Sequence, residues 1–174
     1  MKNGFTLVEM MIALLIISMI TLISMPAWQS DSQQILIKEQ HRLFLFLRQI
    51  QARVENSTEI WYLVINRDIS QQRWCIAAQR KSETTCDCFH PHFCPDHLLA
   101  QFYYPLSPQK NMIFAKAYYP QKLISFNGTR NSSDSGCFML QAEQSRTLFA
   151  FSNLGRIRLK SDQAENACNA GVEE

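Results

Sequence analysis

Apolar positions along the chain follow three successive patterns. From residue 5 to 28 they run almost without interruption, and the only charged residue among them is Glu9. Such a run reaches the roughly 20 apolar residues that a helix needs to cross a bilayer. A carboxylate near the start of such a run is costly in lipid and implies a role and a partner. From 33 to 55 the pattern becomes periodic. Leu36, Leu43, Leu47, Ile50 and Val54 are spaced seven, four, three and four apart, which puts them on one face of a helix. Lys38, Glu39, Arg42, Arg48, Gln49 and Arg53 read as the other faces, and Phe44 and Phe46 widen the stripe. This predicts an amphipathic helix lying against a sheet. Pro26 is expected to bend the helix rather than end it, and the polar run Gln29-Ser30-Asp31-Ser32 offers a place to break.

Beyond Asn56-Ser57 the pattern is that of β-structure. Runs rich in β-branched and aromatic residues cover 60–65, 73–78, 99–104, 113–118, 122–126, 137–141, 148–152 and 156–160. Asn127-Gly128, Asp134-Ser135-Gly136 and Asn153-Leu154-Gly155 supply turns between several of them. The fold class expected is α+β, with one long N-terminal helix packed on an antiparallel sheet or pair of sheets. One globular domain plus the helix suits a chain of 174 residues, and the part after residue 28 is long enough for a packed core.

A net charge of +2 does not by itself announce a nucleic-acid partner, so such activity must come from local clustering. Six cysteines stand at Cys75, Cys86, Cys88, Cys94, Cys137 and Cys168. They allow more pairings than spacing can decide among. The preferred reading joins Cys137 to Cys168, pinning the chain's end to a strand, and pairs the other four locally. The stretch 82–97 is Cys/His-rich. Its three cysteines and three histidines within twelve residues resemble a set of zinc ligands. Alternating residues on a short loop do not all converge on one ion, so disulfides that staple an irregular, proline-stiffened loop are the better reading, with no metal and no cofactor.

The residues Gly4-Phe5-Thr6-Leu7-Val8-Glu9, after a short basic leader and before a full-length apolar run, resemble the processing site of type IV pilins and pseudopilins. A secretory signal has a shorter apolar region and a small-residue cleavage site, which Met25-Pro26-Ala27 does not provide. The resemblance implies cleavage between Gly4 and Phe5 by a prepilin peptidase and N-methylation of Phe5. It further implies anchoring in the inner membrane with the C-terminal domain in the periplasm, then assembly with other pilin or pseudopilin subunits into a filament or at the cell surface. Glu9 would meet the ammonium of Phe5 on a neighbouring subunit; a buried ion pair sets register better than it adds stability. The chain then divides into a leader (1–4), a transmembrane and filament-core helix (5–28), the amphipathic second half of the helix (29–56) and a periplasmic β-rich domain (57–174). An oxidising compartment favours the disulfides.

A second cluster lies near the end. From Arg146 to Lys160 there are four basic residues, Arg146, Arg156, Arg158 and Lys160, and no acidic one. A strand's period of two sends Arg156, Arg158 and Lys160 to one face and Ile157 and Leu159 to the other. Adjacent cations repel unless something anionic joins them, and an arginine fork suits phosphate. Gly155-Arg156-Ile157-Arg158 resembles the Gly-Arg-x-Arg element of minor pilins of the FimT type, in the wider FimT/GspH-like group. That resemblance implies a DNA-binding surface used in natural transformation, with Arg156 and Arg158 at the matching positions; charge geometry adds Lys160 and Arg146. Binding would be sequence-independent and phosphate-dominated. The plainer alternative is a solvated face whose charges pair with Glu143, Asp162 or Glu165. The tail from 161 to 174 is polar and acidic, and only Cys168 would hold it.

Nothing in the spacing pairs a nucleophile with a base, and five scattered glycines form no phosphate loop, so no enzymatic activity is expected. His41 reads as a polar-face residue. The functions that remain are a minor pilin of a type IV pilus that contributes to DNA uptake, a minor pseudopilin of a type II secretion system, and a membrane-anchored zinc-binding module.

Overall fold

The computed structural model describes residues 6–24 and 31–161. The expectations for Gly4, Phe5, Pro26 and Cys168 lie outside the described residues. The first helix and the rest of the chain form separate compact units.

Helix α1 spans Leu7–Ser24. Thr6 begins it: its hydroxyl accepts the backbone N–H of Glu9 at 3.4 Å, satisfying one of the donors that a helix start leaves unpaired. Glu9 lies in the first turn, where a negative charge complements the helix dipole. This Thr-x-x-Glu spacing is a capping pattern and gives Glu9 a local role at the helix start. The helix is apolar on every side, with Leu7, Met11, Leu14 and Ile20 all exposed, as in a helix made to be covered by lipid or protein. Its 18 residues extend about 27 Å, short of the roughly 30 Å of a hydrocarbon core. Among the described residues no helix is long and apolar enough to cross a membrane.

Helix α2 spans Asp31–Glu55. Leu36, Leu43, Leu47, Ile50 and Val54 are all buried in the core, and Phe44 and Phe46 pack against it. Glu39 departs from the sequence reading, which set it on another face. It is 1% exposed, because it stands three residues after Leu36 and four before Leu43 and so falls on the apolar stripe itself.

Among the described residues nine strands form two antiparallel sheets. They are β1 (Ile60–Asp68), β2 (Arg73–Arg80), β3 (Ala100–Tyr103), β4 (Met112–Ala115), β5 (Ile124–Asn127), β6 (Ser132–Ser133), β7 (Gly136–Ala142), β8 (Ser145–Phe151) and β9 (Ile157–Ser161). One sheet has the order β3-β2-β1-β5-β6 and the other β4-β7-β8-β9. The α2 stripe and the inner faces of both sheets share one core, centred on residues such as Trp61, Leu63, Trp74, Ile113, Phe138 and Phe149. The chain is therefore α+β with two sheets. β6 has no apolar signal and escapes sequence reading. The apolar run 113–118 ends as a strand at Ala115, whose N–H donates to the Tyr118 hydroxyl at 2.8 Å. The following segment crosses to the other sheet, where the N–H groups of Tyr119 and Leu123 donate to the carbonyls of Ile65 and Leu63.

Strand β2 is buried on both faces. Trp74, Ile76 and Ala78 face the shared core. Cys75 and Ala77 lie on the other face in a second cluster with Val64 and Cys88. The Cys/His-rich loop forms the lid of that cluster. Gln79, fully buried, ties it down: its amide donates to the Thr84 carbonyl at 2.8 Å and its oxygen accepts the Cys86 N–H at 2.7 Å.

Candidate functional site

The four basic residues near the end of the chain meet on one face of the second sheet. Partners across an antiparallel ladder point to the same side. Lys160 stands opposite Leu148, and Arg158 opposite Ala150. Leu148 stands opposite Met139, Ala150 opposite Cys137, and Arg146 opposite Gln141. Arg146, Leu148 and Ala150 alternate along β8, so Arg146, Arg158 and Lys160 share the outer face. Arg156 precedes β9 with the same parity. Thr147, Phe149 and Phe151 point inward with Ile157, which packs on the core. Arg156, Arg158 and Lys160 are exposed. Among the described residues no ion pair involves these three, while Arg146 is not a free cation.

The turn that delivers Arg156 is anchored from α2. Gly155 has φ +70°, a left-handed conformation that glycine adopts without the penalty of a Cβ. Gln51, buried on α2, donates its amide to the Gly155 carbonyl and to Glu55 Oε1 at 2.6 Å, while its own oxygen accepts Arg48 Nη1 at 3.0 Å. The turn closes through Gly155 N–H to the Ser152 carbonyl, 2.9 Å, and Ser152 N–H to the Arg156 carbonyl, 3.1 Å. Gln51 escapes the sequence reading. The signal that would find it is a polar residue within the apolar stripe, as for Glu39.

The Cys/His-rich loop is a stapled structure. Cys75 bonds to Cys88 and Cys86 to Cys94, so all three loop thiols that a zinc site would draw on are in disulfides. Cys137 is also disulfide-bonded, and its expected partner Cys168 lies outside the described residues. Among the described residues no group of side chains could hold a metal ion. His92 and His97 are exposed. His90 Nδ1 instead meets Asp87 Oδ2 at 2.8 Å, and Asp87 also accepts the Asn66 amide at 2.6 Å and the Phe89 N–H at 2.8 Å. Partial burial raises the Asp87 carboxyl, but the hydrogen bonds from His90, Phe89 and Asn66 outweigh it and hold the group below its ordinary range. A cleft of about 420 Å³ opens beside the loop, lined among others by Arg73, Phe89, His92 and Tyr104.

A family profile described as the prokaryotic N-terminal methylation motif matches residues 1–25. A protein of Haemophilus influenzae, itself described only as uncharacterized, is 52% identical over 170 residues, covering 97% of this chain and 100% of the relative. No solved structure matches the chain. The methylation motif is that of type IV prepilin-like N-termini and implies processing by prepilin peptidase and assembly with other pilin subunits. The chain thus belongs to one family with the Haemophilus influenzae protein and is type IV pilin-like.

Proposed function

We propose that this protein is a minor pilin of a type IV pilus, in the FimT/GspH-like group, that contributes to DNA binding and uptake in natural transformation. The observation that carries the reading is the basic outer face of the second sheet, where Arg158 and Lys160 stand in register with β8 and Arg146 joins them. Before cleavage after Gly4, the apolar helix holds the chain in the inner membrane with its β-rich domain in the periplasm. After cleavage, the helix joins a filament core and Glu9 pairs with the methylated amine of Phe5 on a neighbour. The β-rich domain is then displayed on the filament, and its basic face contacts phosphates of any sequence. Three or four such contacts give a salt slope of about −3 to −4 for duplex DNA. Weak, multiple contacts suffice for a filament that has only to catch DNA.

The full chain in mild detergent is expected to retard DNA of unrelated sequences at low salt, and the Arg156→Gln/Arg158→Gln double variant is expected to lose that retardation at unchanged thermal stability. Equal retardation by the double variant would refute the site. A pseudopilin of a secretion system would instead show no DNA binding and would bury the same face against a partner subunit.

Glu9→Ala is expected to leave cleavage after Gly4 intact and to abolish incorporation into filaments, read by immunoblot of sheared pili against whole cells. Normal incorporation would remove the register role and leave Glu9 with its helix-start role alone.

A further inference from the structure

An open cleft of about 300 Å³ lies where turns from both sheets meet. Arg156, Arg158 and Lys160 do not line it, and neither does any residue of the Cys/His-rich loop. Gln72 comes from the β1–β2 hairpin of the first sheet, Gln141 and Glu143 from the β7–β8 hairpin of the second. Gln109 and Asn111 come from the turn before β4. Asn111 is fixed in place: its side-chain oxygen accepts the Trp74 indole N–H at 3.0 Å, and its amide donates to the Ser107 carbonyl at 2.8 Å. The Gln141 amide donates to the Glu143 carbonyl at 2.9 Å. Phe114 completes the wall. Arg67 holds it, with its guanidinium 5.1 Å from the ring centroid and a hydrogen bond of 3.2 Å to the Ile113 carbonyl.

Two of these side chains stand where the backbone favours glycine. Among the described residues, three that are not glycine have a positive φ: Gln72 at 49°, Asn131 at 45° and Glu143 at 51°. Asparagine tolerates this conformation, whereas a longer side chain carries the penalty of its Cβ with no local compensation. Gln72 ends the loop between β1 and β2, beside the closing pair Asp68–Arg73. Glu143 is the first of the two residues between Ala142 and Ser145, a place that glycine fills in hairpins of this length with one positive φ. The chain does use glycine in such a turn, at Gly155. Both exceptions line the same cleft. Turn chemistry does not account for them, and residues held against their backbone preference collect where a ligand is met.

We propose that this cleft binds a neutral saccharide, a short stretch of a hexose or N-acetylhexosamine glycan. A carboxamide offers both donors and an acceptor, as each sugar hydroxyl does, and Gln72 and Gln109 are exposed to present theirs. Phe114 and Met112 give an apolar wall for the C–H face of a sugar ring. Lys110 and Glu143 bring one charge of each sign, so the lining selects neither a phosphate nor a cation. The volume sits at the small end of ligand pockets, roughly 300–1,000 Å³, and the open mouth lets a longer glycan run on. This site is independent of the polyanion reading above.

The full chain, kept in a detergent without a sugar headgroup, is tested on an array of neutral oligosaccharides of glucose, galactose, mannose and N-acetylhexosamines, with sulfated oligosaccharides as controls. Ligands found there are titrated by calorimetry. At least one neutral class is expected to bind saturably. The Gln72→Gly/Glu143→Gly double variant is expected to bind it about tenfold more weakly, a few-fold for each hydrogen-bonding side chain removed. Its Tm is expected to equal or exceed the parent's, because glycine suits both turns. Lost binding with kept stability is a combination that a merely structural role would not give. The Arg156→Gln/Arg158→Gln variant is expected to bind the neutral glycan as the parent does. No neutral ligand on the array, equal binding by the glycine variant, or a clear fall in its Tm overturns the proposal. Binding of the sulfated controls alone, lost in the arginine variant, belongs to the basic face and overturns it equally.

Discussion

Gly128→Ala is expected to destabilise the β-rich unit by about 3 kcal/mol or more, at or above the upper end of ordinary overpacking costs. A Cβ at this position would stand 2.2 Å from the carbonyl oxygen of Ser57 and 2.4 Å from that of Val54. Both are backbone atoms at the C-terminal end of α2, where Ser57 N–H bonds to the same Val54 carbonyl at 2.9 Å. Neither atom can rotate away as a side chain would. Gly128 is itself held by its N–H to the Glu59 carbonyl, 2.9 Å, so relief requires α2 and the β5–β6 turn to separate. Separation would also pull Val54 from the core. A loss of this size corresponds to about 6–12 °C in Tm for a unit of this length. Gly136→Ala is the matched control, since its Cβ would first meet a side chain, that of Ile124 at 3.1 Å, rather than a backbone carbonyl. Thermal unfolding followed by circular dichroism decides. A Tm for Gly128→Ala equal to that of Gly136→Ala would show that the approach of turn to helix is not a constraint.

Glu39→Ala is expected to cost about 2–4 kcal/mol, since it leaves two buried donors without their acceptors. Glu39 Oε1 accepts the Tyr103 hydroxyl and lies 3.7 Å from Arg42 Nη1. Its Oε2 accepts the Leu106 N–H at 3.0 Å. Removing the carboxylate strands a buried phenol and a backbone N–H, and takes the nearby negative charge from Arg42 Nη1, itself buried without a hydrogen-bond partner. An unmade buried hydrogen bond costs more than a made one contributes. Tyr103 is also the centre of an aromatic stack, 5.3 Å from Phe46 and 6.0 Å from Trp74 between ring centroids. Burial, followed by the hydrogen bond to Glu39, pushes the Tyr103 hydroxyl above its ordinary range, so it stays a donor at all physiological pH. Glu39→Gln keeps the shape and one acceptor oxygen for the Leu106 N–H, while its NH2 can donate to the Tyr103 hydroxyl oxygen, and is expected to lose less than half as much. Chemical denaturation of the three proteins gives the ranking. Equal stability of Glu39→Ala and the parent would show that the carboxylate merely fills space.

Both predictions depend on residues that single-sequence reading misplaces or passes over, and for the same reason. Gly128 reads as half of an Asn-Gly turn, which explains a glycine by the turn alone. The close approach of Val54 and Ser57 is a contact across more than seventy residues. Glu39 reads as surface because it is charged. Its position within the 36–43–47 stripe argues otherwise, and position prevails because Tyr103 and Leu106, both on distant segments, complete its hydrogen bonds. Most strands are legible because alternation and turn residues are local signals. β6 is not legible, since two serines carry no hydrophobic pattern and pair only because Phe126 and Asn127 lie beside them.

The sequence by itself determined what short-range chemistry can encode: the methylation motif at the N-terminus, the apolar run behind it, the stripe that makes α2 amphipathic and the alternation of cations and apolar residues at 156–160. Tertiary structure decided everything that depends on register between segments far apart in the chain. Pairing of β8 with β7 and β9 brought Arg146 to the same face as Arg158 and Lys160. Packing of the loop on β2 joined Cys75 to Cys88 and Cys86 to Cys94, turning a set of apparent metal ligands into the lid of a second apolar cluster. Local periodicity follows from backbone repeat lengths of two and 3.6 residues. Long-range register follows from which of many possible strand pairings buries the most apolar surface without stranding a polar group, and that choice is made only when the whole chain is folded.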